Sequence, residues 1–379
     1  MTNQNTIINA NDLKRQYDLI STELEDAALR VLRSGYYVLG PEVKRFEEHF
    51  AQYLGMKHCV GVASGLDSLK MAFHLLDIKS GDEVIVCANA YIACIMGITV
   101  DGATPIFVEP DQYNNIDADL IEAKITQKTK AILAVHLFGQ TCDMDKICQI
   151  AQKYGLYVVE DCAQSHGNTW HGKKAGTFSN IACFSFYPTK GLGAYGDGGA
   201  IVTNDDTIAE RARVYRNYGS PRRYYNEVIG LNSRLDELQA ALLEIKLSHL
   251  DEFNTQRRKV AEKYTQGIDN QYIEVPKVRP GADSSWHQFV IKCDYRDELK
   301  SYLEENGIFT IIHYPIPPHL SKAYAYLGHS RGDFPITERD ADRVLSIPMF
   351  DGITDEEIER VTKTLNRFVP RKIGSSSEY

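Results

Sequence analysis

The chain has 379 residues, and single hydrophobic cores stop growing at roughly 250 to 300 residues, so two domains are expected. Its composition, 43% hydrophobic and 25% charged, is that of a folded globular protein and excludes wholesale disorder. A formal net charge of −9 without a long single-sign block gives no footing for nucleic acid or an anionic membrane as a partner. Met1 to Asn11 is polar, without the basic-then-apolar layout of a signal peptide, and no apolar run approaches the ~20 residues that span a bilayer, so the cytoplasm is the expected compartment. The eight cysteines, Cys59, Cys87, Cys94, Cys142, Cys148, Cys162, Cys183 and Cys293, never form a C-x-x-C pair and read as reduced core residues.

In chain order, apolar residues recur at helical spacing from Leu13 to Arg33, and Ser34-Gly35 closes that helix. A second helix, Pro41 to about Leu54, leads into an alternation of apolar strands and amphipathic helices. Strands are predicted at His58 to Val62, Glu83 to Cys87, Pro105 to Glu109, Ala131 to His136 and Leu156 to Glu160, with helices at Leu66 to Leu76, Tyr91 to Val100 and Met144 to Tyr154. Such alternation argues for an α/β fold, a mainly parallel sheet flanked by helices. Two strands without an intervening helix follow, Ile181 to Phe186 and Ala200 to Thr203, then helices Ile208 to Tyr218 and Ser233 to about Lys263. The last is long enough to join two domains. Strands at Phe289 to Cys293 and Phe309 to His313 around a helix at Leu299 to Asn306 fit a smaller α+β domain, which places a large domain at 1–255 and a small C-terminal domain at 256–379. The polar end Ser375 to Tyr379 reads as a frayed tail.

Three stretches carry chemistry. In Val159-Glu160-Asp161-Cys162-Ala163-Gln164-Ser165-His166 an apolar strand ends in an acidic residue, and ligands of open α/β sheets bind beyond the carboxyl ends of strands. A carboxylate there keeps a pyridine nitrogen protonated, which is the electron sink pyridoxal 5′-phosphate (PLP) requires. The bland alternative for Asp161 is a helix N-cap. A metal site from Asp161, Cys162 and His166 has no second ligand cluster to support it, and no metal is expected. The second stretch, Cys183-Phe184-Ser185-Phe186-Tyr187-Pro188-Thr189-Lys190-Gly191, is a strand followed by a lysine in a glycine-rich turn. An amine in a partly apolar site has a lowered pKa and forms imines readily, and Ser185 offers a hydroxyl to a phosphate. The third, Ala63-Ser64-Gly65-Leu66-Asp67-Ser68, is a small-residue turn into a helix, whose N–H groups and dipole suit the same phosphate. Gly191-Leu192-Gly193-Ala194-Tyr195-Gly196 matches the dinucleotide fingerprint, but it runs on into the strand Ala200-Ile201-Val202-Thr203 instead of opening a helix, and a nicotinamide site is rejected.

On these residues the chain resembles the DegT/DnrJ/EryC1/StrS sugar aminotransferase family, a branch of the aspartate aminotransferase-like (fold type I) PLP enzymes, from about Tyr36 to Phe368. The segments that carry the resemblance are Glu160 to Gly167, Phe184 to Lys190, Gly196 to Gly199 and Leu231 to Ala241. It implies Lys190 as Schiff-base lysine, Asp161 as partner of the pyridine nitrogen and Gln164 beside the phenolic oxygen. It likewise implies Ser185 with the backbone of Gly65 and Leu66 on the phosphate, and Tyr91 on the ring face. The family usually has Thr where this chain has Leu66, so one hydroxyl contact is expected to be missing. Asn232 is implied to reach the cofactor of a neighbouring subunit, hence a homodimer with shared active sites. Ser233-x-x-Asp236 also reads as a helix cap.

The resemblance further implies transfer of the amino group of L-glutamate to a keto-sugar. Tyr-Pro-x-Lys before the glycines and His313-Tyr314-Pro315-Ile316-Pro317-Pro318-His319 look like enzymes that aminate carbon 3 of dTDP-linked 3-keto-6-deoxyhexoses, whereas carbon-4 enzymes more often carry His where Tyr187 stands. Tyr187, His313 and Tyr314 are the candidates for touching the sugar nucleotide, and Arg222, Arg223 and Tyr225 for a mobile rim, with plain polar surface as their alternative. Carbon-4 amination, a lysine-independent sugar dehydratase and a non-catalytic regulatory relative are the competing readings. Lys190 argues against the dehydratase, and retention of Asp161, Gln164, Ser185 and Lys190 together argues against the regulator.

Overall fold

The computed structural model describes residues 7–371, so the frayed tail expected at Ser375 to Tyr379 lies outside the described residues. Seven strands form the main sheet in the order β1-β9-β8-β5-β4-β2-β3. They are β1 (His58–Val62), β2 (Glu83–Cys87), β3 (Thr104–Val108), β4 (Thr129–Val135), β5 (Tyr157–Asp161), β8 (Ile181–Ser185) and β9 (Gly199–Thr203). β3, β2, β4, β5 and β8 pair in parallel, and β9 runs antiparallel to both β8 and β1. The sheet is therefore mainly parallel, as the alternating pattern requires.

Helices α3 (Pro41–Leu54), α4 (Gly65–Leu75), α5 (Ile92–Thr99), α6 (Met144–Tyr154) and α7 (Asp206–Tyr215) cover it. One apolar cluster joins Val60, Val86 and Leu133 to Leu69 and Phe73 of α4 and Ile95 of α5. Another joins Phe46 and Phe50 of α3 to Phe184, Phe186 and the first half of α8 (Glu237–Gly267). Burial on both faces explains why the central strands read as unbroken apolar runs. The expected opening helix is two, α1 (Leu13–Leu19) and α2 (Ser21–Ser34), because Ile20 leaves helical geometry. Gly35 ends α2 in the left-handed region, φ 74°.

The expected start of the long helix at Ser233 is corrected. The Ser233 hydroxyl donates to Asp67 Oδ2 (2.8 Å) and accepts the Ala63 N–H (3.1 Å), which holds that segment extended, and α8 begins at Glu237. Glu237 is buried, and its carboxylate takes the N–H groups of Gly40, Glu42 and Val43 (2.7–2.9 Å) at the start of α3. The anion sits where the first turn of α3 lacks partners.

A third cluster packs the far half of α8 (Val260, Ala261, Tyr264) against β11 (Phe289–Lys292), α9 (Arg296–Glu305), β12 (Val344–Ile347), α11 (Asp355–Arg367) and Ile8. β11 and β12 are antiparallel, and β12 has no counterpart in the sequence reading. The strand expected at Phe309 to His313 is absent. Ile308 bridges Ile8 and Ile311 bridges Ser346, so the segment divides its pairing between two neighbours, one rung each. Residues of the C-terminal part also reach back: Tyr324 and Phe334 join the large-sheet core, and Glu109 accepts the N–H groups of Ile336 and Thr337 at the head of α10 (Pro335–Arg343). A small three-stranded sheet, β10-β6-β7 (Ala282–Asp283, Thr169–Trp170, Lys173–Lys174), ties the two parts together.

Arg257 of α8 meets Asp351 through two hydrogen bonds (2.8 and 3.0 Å), both side chains buried, and Gln16 of α1 donates to the same carboxylate. Removing one member leaves an uncompensated buried charge. Arg257→Ala is expected to cost about 3–5 kcal/mol of stability, read as a lowered midpoint in thermal or urea unfolding, with the paired change Arg257→Met and Asp351→Leu costing less.

Candidate active site

The carboxyl ends of β4, β5 and β8 open on a cavity of about 500 Å³ whose wall includes Gly65, Tyr91, Asp161, Gln164, Ser185 and Lys190. Asp161 is the last residue of β5 and is buried. Its Oδ1 accepts the Ala163 N–H (2.9 Å) and its Oδ2 accepts the Cys94 thiol (3.0 Å). A loop follows it, which rules out the helix-cap alternative. Gln164 is held at both ends: its Oε1 accepts the Phe138 N–H (2.7 Å) and its Nε2 donates to the Tyr314 hydroxyl (3.1 Å). Tyr91, just before α5, sets its ring 4.8 Å from that of Tyr314 at a tilt of 33°.

Lys190 follows β8 in a turn closed by its N–H on the Tyr187 carbonyl (2.8 Å). Burial pushes its amine below the ordinary lysine value, against the pull of Asp161 and Cys94. The glycines after it run in a loop into β9 with no helix, so the structure gives no dinucleotide turn there. Gly193 is required for a close crossing, since a Cβ would lie 2.3 Å from the Pro188 carbonyl oxygen.

Opposite the lysine, Ser64 caps α4 by accepting the Asp67 N–H (3.1 Å). A Cβ on Gly65 would stand 2.4 Å from the Ser185 Cβ and 2.8 Å from its hydroxyl oxygen, so the first turn of α4 rests directly on the end of β8. A helix start with N–H groups lacking intrahelical partners, a serine hydroxyl beside it, a buried carboxylate and a buried amine share one cavity, a set of groups that fits the phosphate, pyridine nitrogen and aldehyde of PLP.

His313 Nδ1 is 2.8 Å from the Ser346 hydroxyl and its Nε2 3.1 Å from Gln288 Nε2. Burial and the lysine charge push His313 down to about 4, and His166, whose ring packs on Phe184 and Phe186, down to about 3. His287, also on the cavity wall, is held well below its ordinary value by the same two causes. At the ends of the central strands β4 and β5, His136, Glu160 and Cys162 are the one group of potential metal-ligating side chains close enough to share an ion among the described residues. The His136 Nδ1 accepts the Cys142 N–H (3.1 Å), its Nε2 faces Glu160 (3.0 Å), and Glu160 also takes the N–H groups of Gly176 and Phe178. Glu160 and His136 are thereby committed to tying β5 to its neighbouring segments.

Among the sequence candidates, Gly65, Leu66, Tyr91, Asp161, Gln164, Ser185, Tyr187, Lys190, His313 and Tyr314 share the cavity. Asn232, Arg222, Arg223 and Tyr225 are exposed and off its wall in the single chain, with Arg222 over the Tyr225 ring (4.0 Å). Sequence reasoning missed Cys94, His287 and Gln288. Cys94 stands three residues after Tyr91, one helical turn along, which was the available signal.

Fold and site together define a PLP-dependent transaminase. The chain matches the model of the DegT/DnrJ/EryC1/StrS aminotransferase family over residues 18–366 and belongs to that family. It is 51% identical to the dTDP-3-amino-3,6-dideoxy-alpha-D-galactopyranose transaminase of Aneurinibacillus thermoaerophilus, across 94% of this chain and 98% of that protein. The crystal structure of DesV from S. venezuelae superposes with a TM-score of 0.93 at 44% identity, covering 95% of this chain and 98% of the other. NtdA of Bacillus subtilis, solved with bound pyridoxamine phosphate (PMP), gives 0.87 at 30% identity, covering 93% and 83%.

Gly65→Ala, which drives a methyl into Ser185, is expected to raise the PLP dissociation constant at least about tenfold, roughly 1.4 kcal/mol, in titrations of the apo-protein. The histidines set a pH response as well. Below pH 6.5 the unfolded chain protonates them while the folded chain does not until about 4 for His313 and about 3 for His166. Stability is therefore unaffected by these groups above 6.5 and falls as pH drops from 6.5 towards 4. His166→Asn is expected to flatten that fall in melting temperature.

Proposed function

We propose that the enzyme transfers the amino group of L-glutamate to carbon 3 of a dTDP-3-keto-6-deoxyhexose, giving a dTDP-3-amino-3,6-dideoxyhexose and 2-oxoglutarate. The observation that carries this reading is the 51% identity, over nearly the full length of both chains, with a transaminase named for a dTDP-3-amino-3,6-dideoxyhexose. When bound, PLP would supply a pyridine ring as electron sink and an aldehyde carbon to carry the amino group between the two substrates. The chain's own residues do the rest. Lys190 Nζ, its basicity tuned by burial, takes the proton from the carbon that bears the amino group and returns it to the acceptor side. Asp161 holds a compensating negative charge at the cavity floor. Gln164, fixed by Phe138 and Tyr314, presents a set orientation to the cofactor's oxygen. Ser185, Gly65 and Leu66 take the phosphate, and Tyr91 lies against the ring.

Tyr187, half exposed at the mouth, together with His313 and Tyr314, meets the sugar nucleotide in this reading. Asn232 completes the phosphate site of a neighbouring copy, and Arg222, Arg223 and Tyr225 form the rim across a homodimer contact. Exposed Tyr224 (82%) and Ile229 (95%) beside those arginines are apolar surface that a second copy would cover. Among the described residues no helix is long and apolar enough to cross a membrane, which suits a cytoplasmic pool of nucleotide sugar.

Product formation from dTDP-3-keto and dTDP-4-keto sugars, assayed side by side with glutamate, tests the assignment. The 3-keto substrate is expected to be preferred, and a preference for the 4-keto sugar overturns the position. Lys190→Ala is expected to lower transfer by at least about 10² to 10⁴-fold. Retained transfer in that variant sinks the mechanism.

A further inference from the structure

We propose that Cys94 is a positioning residue for the cofactor: its thiol donates to Asp161 Oδ2 and fixes the carboxylate in the plane from which it meets the pyridine nitrogen. The inference deepens the PLP reading and rests on it. Cys94 is buried on the first turn of α5, where its N–H bonds the Tyr91 carbonyl (2.9 Å), so the sulfur is carried by the same turn that presents the Tyr91 ring to the cavity. The Sγ to Oδ2 separation is 3.0 Å. Burial and Asp161 both push the thiol well above its ordinary value, so it keeps its hydrogen, and a carboxylate can only accept it.

The consequence for Asp161 is geometric and electrostatic. Its other oxygen takes the Ala163 N–H (2.9 Å), so each oxygen has one donor from the protein and the carboxylate plane is set from two sides. A thiol is a weak donor. It orients the carboxylate and leaves its negative charge free to face a pyridinium. A buried carboxylate is costly unless its oxygens find donors, and an apolar side chain at this spot would leave Oδ2 without the thiol's hydrogen bond. The pairing makes sense as a support for the charge, not for the core.

Two substitutions separate donor from volume. Cys94→Val fills the space and removes the donor; Cys94→Ser keeps a donor and adds a polar atom. If Cys94 positions Asp161, Cys94→Val raises the PLP dissociation constant of the apo-protein about tenfold, about 1.4 kcal/mol, and lowers kcat with little change in KM for glutamate, while Cys94→Ser stays within about twofold of the parent. A merely structural cysteine predicts the reverse order, Val tolerated and Ser impaired, and that order overturns the proposal. Infrared difference spectra of the apo-protein, parent minus Cys94→Ala, give a readout without cofactor or turnover. The S–H band is expected at the lowered frequency of a hydrogen-bonded thiol and is expected to rise in Asp161→Ala. A band that ignores Asp161→Ala refutes the contact itself. Failure of the sugar assay with an intact thiol response would count against the substrate assignment and leave the positioning role standing.

Discussion

The close approach of one backbone to another at the head of α4 is the constraint on which the rest of the site depends. Gly65 leaves no room for a Cβ against Ser185, and Gly199 none against the Ser64 carbonyl, where a Cβ would lie 2.4 Å away. These two crossings press the first turn of α4 onto the ends of β8 and β9. The helix dipole and a serine hydroxyl then face the same space that Lys190 enters from the end of β8. A larger residue at either glycine would push the head of α4 away from β8, so the start of that helix and the strand leading to Lys190 are held together by a single piece of packing.

Charge in the cavity is arranged around the same anchor. Asp161 stands opposite a buried amine, and the imidazoles of His166, His287 and His313 are all pushed towards neutrality by burial and by that amine. Neutral rings beside Lys190 add no positive charge to that of the amine next to Asp161. The His136–Glu160 pair has a different task. Its carboxylate is held low, despite burial, by His136 and by the Gly176 N–H, and it ties β4, β5 and the segment at 176–178 into the frame that carries Asp161.

Local pattern made much of this readable. Strands buried on both faces are continuous apolar runs, so β1, β2, β4, β5, β8 and β9 could be placed within a residue or two, and the acid, serine and lysine at strand ends marked the chemistry. What the pattern lacked was any signal whose meaning depends on distant partners. Cys94 looks like every other buried cysteine until Asp161 is set beside it. Ser233 reads as a helix cap because the capping rule is local, whereas its hydroxyl is taken by Asp67, far away in sequence. The pairing of 308–311 with Ile8 and Ser346 likewise comes from two separate segments, so a β-like run became a linker with isolated rungs. His287 and Gln288 come from the C-terminal part and enter the cavity only through the packing of the two halves.

That packing rests on α8. Its first residue caps α3 through Glu237, its first half lies under β8 and β9 through Leu243 and Leu247, and its second half forms the floor of the C-terminal core. Lys246, buried in the middle, donates to the Gly193 carbonyl (2.7 Å) in the loop that follows Lys190. One turn of helix therefore touches the glycine loop of the cofactor site, and three turns further Arg257 binds Asp351 of the C-terminal part. A helix of 31 residues held at both ends ties the C-terminal part to the loop that follows Lys190.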